Sequence, residues 1–292
     1  MGVPDESLAI PTGPDALAAA PAISNVQAGP AVTCEGWQLV DTTVRGSISE
    51  SLSAALTQDG VKLAAHLSRI FMWDLNLRRD VEPGDRVRIL WRRNDAGDPE
   101  IRSARYQSSR LGRALWVYRF AGDEAESPSY WDRDGVEVPR RLKASPLFTY
   151  DQITALLKDR PTHQGMDFKT PEGTEVHVPR AGVATRLDWK LRGNGHCVEI
   201  RYDDGTLAKF LHLSAIKVRS GARVRAGQVI ALTGNTGHST APHLHYQLNR
   251  GTRTVDPVDY HGVLRRRLEH APLTKFRAEL ADFDRVCGAA VP

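Results

Sequence analysis

Pro242-His243-Leu244-His245-Tyr246-Gln247-Leu248 alternates polar and apolar side chains residue by residue after its proline. On a β-strand, residues i and i+2 share a face, so His243, His245 and Gln247 point one way while Leu244, Tyr246 and Leu248 point the other. The pattern predicts a strand with one face in a core and two imidazoles on the opposite face, ~6–7 Å apart along the chain. That spacing lets one ring ligate a metal ion while the next stands over the ion's open position. The same alternation also describes a plain half-buried strand, so the pair needs partners from elsewhere in the chain.

Two segments offer them. His163 stands in Thr162-His163-Gln164-Gly165-Met166-Asp167-Phe168, and His212 in Phe210-Leu211-His212-Leu213-Ser214. In an extended strand His163 and Asp167 would lie ~13 Å apart, too far to share one ion. Pro161 before them and Gly165 between them allow a bend that brings imidazole and carboxylate together. Without a metal, Asp167 would instead orient His163 by hydrogen bonding. Two imidazoles and one carboxylate make a tetrahedral Zn²⁺ site with one position open, the arrangement of catalytic rather than structural zinc. Such a site activates water at neutral pH and polarises a carbonyl, which predicts hydrolysis. The His-Glu-x-x-His pattern is absent, so proton transfer falls to the histidines outside the ligand set, His212 and His243. His66, His177, His196, His238, His261 and His270 are scattered and read as ordinary histidines.

The chain around these motifs has 292 residues, 41% apolar and 25% charged, which excludes global disorder and a collagen-like repeat and leaves room for about two folded units. No run approaches the ~20 uninterrupted apolar residues of a membrane-spanning helix. Net charge is +4 with a pI of about 9.0. Residues 1–44 contain no Lys or Arg, so the basic excess lies in the body, and no Lys/Arg block with interleaved aromatics marks a nucleic-acid surface. The three cysteines, Cys34, Cys197 and Cys287, are odd in number and lack a Cys-x-x-Cys, spelling neither a disulfide framework nor a Cys-based zinc site.

The domain plan follows from composition and period. Residues 1–41, rich in Ala and Pro, read as a flexible leader that lacks the charged and apolar regions of a secretory signal. Residues 42–147 read as a small α+β accessory domain. Ile48, Leu52, Ala55 and Leu56, then Val61, Leu63, Ala64, Leu67, Ile70 and Phe71, fall at helical spacing; strands follow at 87–91, 101–106 and 114–120, then a turn at 130–135. Residues 148–262 carry short strands at 197–202, 208–213, 228–233 and 244–248. In the closing stretch 263–292, Leu273, Phe276, Leu280 and Phe283 predict an amphipathic helix packed on the body.

His163-x-Gly165-x-Asp167-Phe168, Phe210-Leu211-His212-Leu213-Ser214, Val224-Arg225-Ala226-Gly227-Gln228-Val229-Ile230, Gly234-Asn235-Thr236-Gly237 and Pro242-His243-Leu244-His245 resemble, in order, the lysostaphin-type (LytM-like) zinc endopeptidases. The resemblance covers about residues 145–262. It implies a catalytic antiparallel β-sheet domain with a groove, His163, Asp167 and His245 as zinc ligands, and His212 and His243 as catalytic histidines. Residues 42–148 resemble the accessory domain of periplasmic murein DD-endopeptidases, through Gly46-x-Ile48-x-x-Ser51-Leu52, Pro83-Gly84-Asp85 and Tyr130-Trp131-Asp132. In some relatives that domain packs over the groove and regulates it. Two departures stand out: the stretch between Pro146 and His163 is short and lacks the family's Arg-His-Pro, and Ala241 replaces the usual Gly. The implied activity is Zn²⁺-dependent hydrolysis of peptide cross-links in peptidoglycan, in a periplasmic or extracellular setting. The alternative is a catalytically inactive wall-binding or amidase-activating regulator of the same fold.

Overall fold

The computed structural model describes residues 33–287 except 35, 57, 96, 123–127, 158, 160 and 161. Most of the predicted leader, and Pro161, lie outside these residues. The fold is mainly β, built on two antiparallel sheets with a two-stranded ribbon between their chain segments.

The first sheet is a meander in chain order: Thr33–Cys34, Trp37–Thr43, Arg86–Arg93, Pro99–Ser108, Arg113–Phe120 and Ser129–Trp131. It begins inside the stretch predicted as leader. Trp37–Thr43 pairs with Arg86–Arg93 from Gln38↔Trp91 to Thr43↔Arg86 and buries Val40. Seven residues without a clean period-two alternation, beside an Ala/Pro-rich run, are too few to stand out by composition. The predicted helices form as Ile48–Ala55 and Gly60–Phe71, the first capped by Ser47, whose Oγ accepts the Glu50 N–H at 3.1 Å. Leu52, Leu63, Leu67 and Ile70 of these helices pack on Val87, Ile89 and Tyr106 of the sheet. Tyr130 and Trp131, expected in a turn, complete the last strand; the turn itself begins at Asp132, whose Oδ1 accepts from the N–H groups of Asp134 and Val136.

The closing helix spans His270–Cys287 and covers the other face of this same sheet. Phe276 and Phe283 meet Tyr118 edge-on at 6.1 and 5.0 Å, and Phe276 meets Phe120 at 5.2 Å. The helix starts later than residue 263, because the preceding backbone is used elsewhere. Val263–Leu264 pairs with Arg141–Leu142, and the Arg266 carbonyl accepts the Glu137 N–H at 2.9 Å. Contrary to the expectation from cysteine count, Cys34 and Cys287 form a disulfide that spans 253 residues, while Cys197 is free and buried. An odd count says only that one thiol is left over, and this separation has no local spacing signature.

In the second sheet the strands run Arg223–Val224, Gly182–Leu187, His196–Tyr202, Leu207–Ile216, His243–Arg250, Met166–Lys169 and Gln152–Ala155. Glu175–His177 and Val229–Thr233 pair with each other, and Val229–Thr233 also joins the far end of Leu207–Ile216. Leu244, Tyr246 and Leu248 enter the core with Phe168 and Phe210, all fully buried. The alternation read from residues 243–248 is therefore the alternation of the strand.

Between the sheets sits Glu137, with no solvent exposure. Its carboxylate accepts from Arg141 at 3.0 Å, Arg266 at 2.9 Å and Ser129 Oγ at 2.6 Å. Burial alone would push this carboxyl up, but the Arg266 and Arg141 guanidinium groups outweigh it and hold the group below the usual carboxylate range.

Two outcomes are expected. Replacing Cys34 and Cys287 by Ser should cost about 2–5 kcal/mol of unfolding free energy, read from urea titrations of oxidised and variant protein. Glu137→Gln should cost about 3 kcal/mol at pH 7, because it leaves guanidinium charge partly buried and uncompensated. Its carboxyl titrates lower when folded than its ordinary 4.5, so the stability it supplies is full above that value and drains away as pH falls through the folded value. The variant should lack this acid-side loss.

Candidate functional site

The site lies on the face of the second sheet opposite its core. Met166–Lys169 and His243–Arg250 are antiparallel neighbours, and their register sets His245 directly across from Asp167. Cross-strand partners share a face with Cβ atoms ~5 Å apart, so pairing alone delivers a carboxylate to an imidazole. His245 Nδ1 lies 2.7 Å from Asp167 Oδ1. His163 arrives from the loop before the strand, folded back so that its Nε2 lies 3.0 Å from Asp167 Oδ2. Gly165 makes that fold possible: a Cβ there would stand 2.5 Å from the Tyr246 carbonyl oxygen and 2.8 Å from His245 Nε2. The expected bend between His163 and Asp167 is thus present, in residues 162–165.

One ligand atom from each of His163, Asp167 and His245 lies within 4.8 Å of the other two, with Asp167 buried and both histidines half-buried. The proton positions test whether a cation fits. His163 Nδ1 faces the Leu156 carbonyl at 2.8 Å, and a carbonyl only accepts, so Nδ1 carries the proton of the neutral ring. Its Nε2 then turns a lone pair toward a carboxylate oxygen. Lone pair against anion is repulsive unless a positive charge sits between, and a divalent cation supplies it. Nitrogen, oxygen and nitrogen donors in this number suit Zn²⁺. Burial would raise the Asp167 carboxyl, yet its two imidazole neighbours, with His245 Nδ1 donating at 2.7 Å, hold it far below the usual range, so it is an anion throughout neutral pH.

His212 and His243 stand beside this set. Their rings are 4.7 Å apart, and His212 is 6.2 Å from the His245 ring, centroid to centroid. His212 sits where its strand changes partner: Leu211 pairs with His245, while Leu213 pairs with Thr233. A bulge at that switch puts His212 in the left-handed region at φ +64°, which re-aims its side chain from the plain alternation. Its Nδ1 donates to the Thr236 carbonyl at 2.9 Å, leaving Nε2 as the acceptor. Burial foremost, against that hydrogen bond, pushes the ring down to about 4, so it is neutral at pH 7. His243 Nδ1 donates to the Ala241 carbonyl at 2.8 Å, near Ser239 Oγ at 3.1 Å, and likewise presents Nε2.

All five residues singled out in the sequence therefore converge. What sequence reasoning missed is the backbone that orients them: the carbonyls of Leu156, Thr236 and Ala241 fix three tautomers. The Thr236 contact had a signal in Gly234-Asn235-Thr236-Gly237, quoted above only as a resemblance. Gly234 passes so close to the bulged strand that a Cβ would stand 2.5 Å from the Ser214 nitrogen, and Thr236 Oγ1 donates to the Leu213 carbonyl at 2.7 Å. Of the scattered histidines, His261 bonds the Tyr246 hydroxyl at 2.8 Å on the core side, and His177 stacks on Phe148 at 3.9 Å.

Parts of the chain are similar in sequence to known proteins. Residues 161–257 match Peptidase family M23. The peptidoglycan DD-endopeptidase ShyA of Vibrio cholerae is 25% identical over 82% of this chain and 58% of its own length. A zinc-containing peptidase from Vibrio cholerae is 28% identical over 76% of this chain and 70% of that structure, with a TM-score of 0.36. The catalytic domain of lysostaphin from Staphylococcus simulans is 30% identical over 41% of this chain and 90% of that domain, with a TM-score of 0.33. The chain spans about half the length of the curated relatives it matches. Residues 161–257, which hold the His163, Asp167 and His245 cluster, are a peptidase family M23 domain.

Proposed function

We propose that this protein is a Zn²⁺-dependent endopeptidase that hydrolyses peptide cross-links of peptidoglycan. The observation that carries the reading is the convergence of His163, Asp167 and His245 on one point, with two further histidines alongside whose Nδ1 protons are already committed to carbonyls. Zn²⁺ held by these three groups would polarise a scissile carbonyl and lower the pKa of an attacking water. The neutral His212 is the group to accept a proton at Nε2. His243, when protonated at Nε2, is the group to donate to the oxygen on which charge develops. The Thr236 and Ala241 carbonyls keep both rings from turning, so no reorientation is needed as charge moves.

The substrate class rests on the similarity to ShyA, whose name assigns it to peptidoglycan. A cell-envelope location is supported by the Cys34–Cys287 disulfide, since such bonds persist in oxidising compartments. Among the described residues no helix is long and apolar enough to cross a membrane. The presence of all five site residues, each oriented, favours an enzyme over an inactive wall-binding or amidase-activating regulator.

Muropeptide analysis of purified peptidoglycan treated with the zinc-loaded protein should show cross-linked dimers falling and monomers rising, with no change under chelation. An unaltered profile with zinc bound would favour the regulator. His245→Ala should lose metal and activity together. His243→Ala should keep zinc by elemental analysis while its rate falls about 10²–10⁴-fold; metal-free protein in that variant would reverse the division of roles.

A further inference from the structure

A cavity of about 580 Å³ opens between the helix Gly60–Phe71 and the edge strand Gln152–Ala155. Its wall reaches the catalytic face through Lys169. This residue is two positions after Asp167, on the same face of the same strand, and its Cα is registered opposite that of His243. Lys169 is exposed and lines the cavity.

Three of the four acids of this wall are in ion pairs; the fourth, Asp151, donates its backbone N–H to the Lys169 carbonyl at 2.9 Å. Asp98 pairs with Lys62 at 3.1 Å, Glu100 with Arg119 at 2.8 Å and Glu137 with Arg141 at 3.0 Å, all from the same lining. Lys169 faces the space in addition to these pairs. Tyr150, a residue only 7% exposed, also contributes to the lining. Six Lys and Arg side chains against four acids leave the lining with a cationic surplus, which is complementary to an anion that accepts hydrogen bonds. The field is positive enough to be felt across the cavity: burial first, then the charges of Arg69, Lys169 and Arg119, hold His66 down at about 4 against its bond to the Pro99 carbonyl.

We propose that this cavity is a subsite for a carboxylate of the substrate peptide, with Lys169 as its binding residue. Two residues of strand span ~6–7 Å, about the length of two residues of an extended substrate. A peptide whose scissile bond lies at the His163, Asp167 and His245 cluster therefore places the carboxylate of an adjoining residue within reach of Lys169. The inference rests on the peptidase reading above and adds a preference: free carboxylate over amide at the residue flanking the cut bond.

The test uses the full zinc-loaded chain and two cross-linked muropeptide dimers that differ only in whether that flanking carboxylate is free or amidated. Wild-type protein should show a KM about tenfold or more lower for the free acid, the size of one charge-assisted hydrogen bond. Lys169→Gln should bring the free acid to the amide's KM, with kcat far less affected, and Lys169→Arg should restore part of the preference. Equilibrium binding of the corresponding monomeric muropeptides, read by calorimetry, should give the same ratio. Cleavage of both dimers with equal KM, or a preference that survives Lys169→Gln, overturns the subsite and leaves the peptidase reading standing. Cleavage of neither dimer, with zinc bound, overturns both.

Discussion

The structure turns on a single cross-strand register, Asp167 opposite His245. Slipping Met166–Lys169 by one residue would move Asp167 into the core and Phe168 onto the catalytic face. Two buried aromatics guard against that slip: Phe168 and Tyr246 lie fully buried on the opposite face of the same two strands. The hydrophobic core therefore does chemical work at a distance, because the apolar alternation that fixes packing also fixes which polar atoms meet.

Around that pair, backbone carbonyls supply the orientation. Three of the four site histidines carry their Nδ1 proton toward a main-chain oxygen of an adjoining loop. Such contacts hold a ring's tautomer without adding another titrating group, and they make the loops as consequential as the strands. His212 is the clearest instance. It occupies a left-handed backbone conformation at a bulge and depends on the close approach of Gly234 to hold the carbonyl that receives its proton.

Much of this was legible in the sequence, and what was not has physical reasons. The His243–Leu248 alternation, the two helices after residue 47 and the stripe of the closing helix each repeat with the period of their element, so local pattern suffices. The meeting of His163 with Asp167 depended on a bend that only Gly165 hinted at. The Cys34–Cys287 bond and the Arg266–Glu137 contact join residues far apart in sequence, and no periodicity encodes them. Trp37–Thr43 was hidden by the composition of its neighbours, since a single edge-side strand contributes few apolar residues to any average. Thr236 was visible as part of a motif, but the role falls to its carbonyl, which every residue type has.

The path of the chain after the catalytic sheet has a further meaning. The helix His270–Cys287 returns to the first sheet, covers its open face and is bonded to the strand Thr33–Cys34. The first sheet is therefore completed by chain from both sides of the second sheet in sequence, and the two flanking segments are stapled together. In such an arrangement the boundaries of an autonomous piece are not those of a linear chain. A cut before residue 148 strips the closing helix of the aromatic face it rests on, and a cut after residue 262 bares that face. The first sheet and its closing helix thus form a frame closed by one covalent bond.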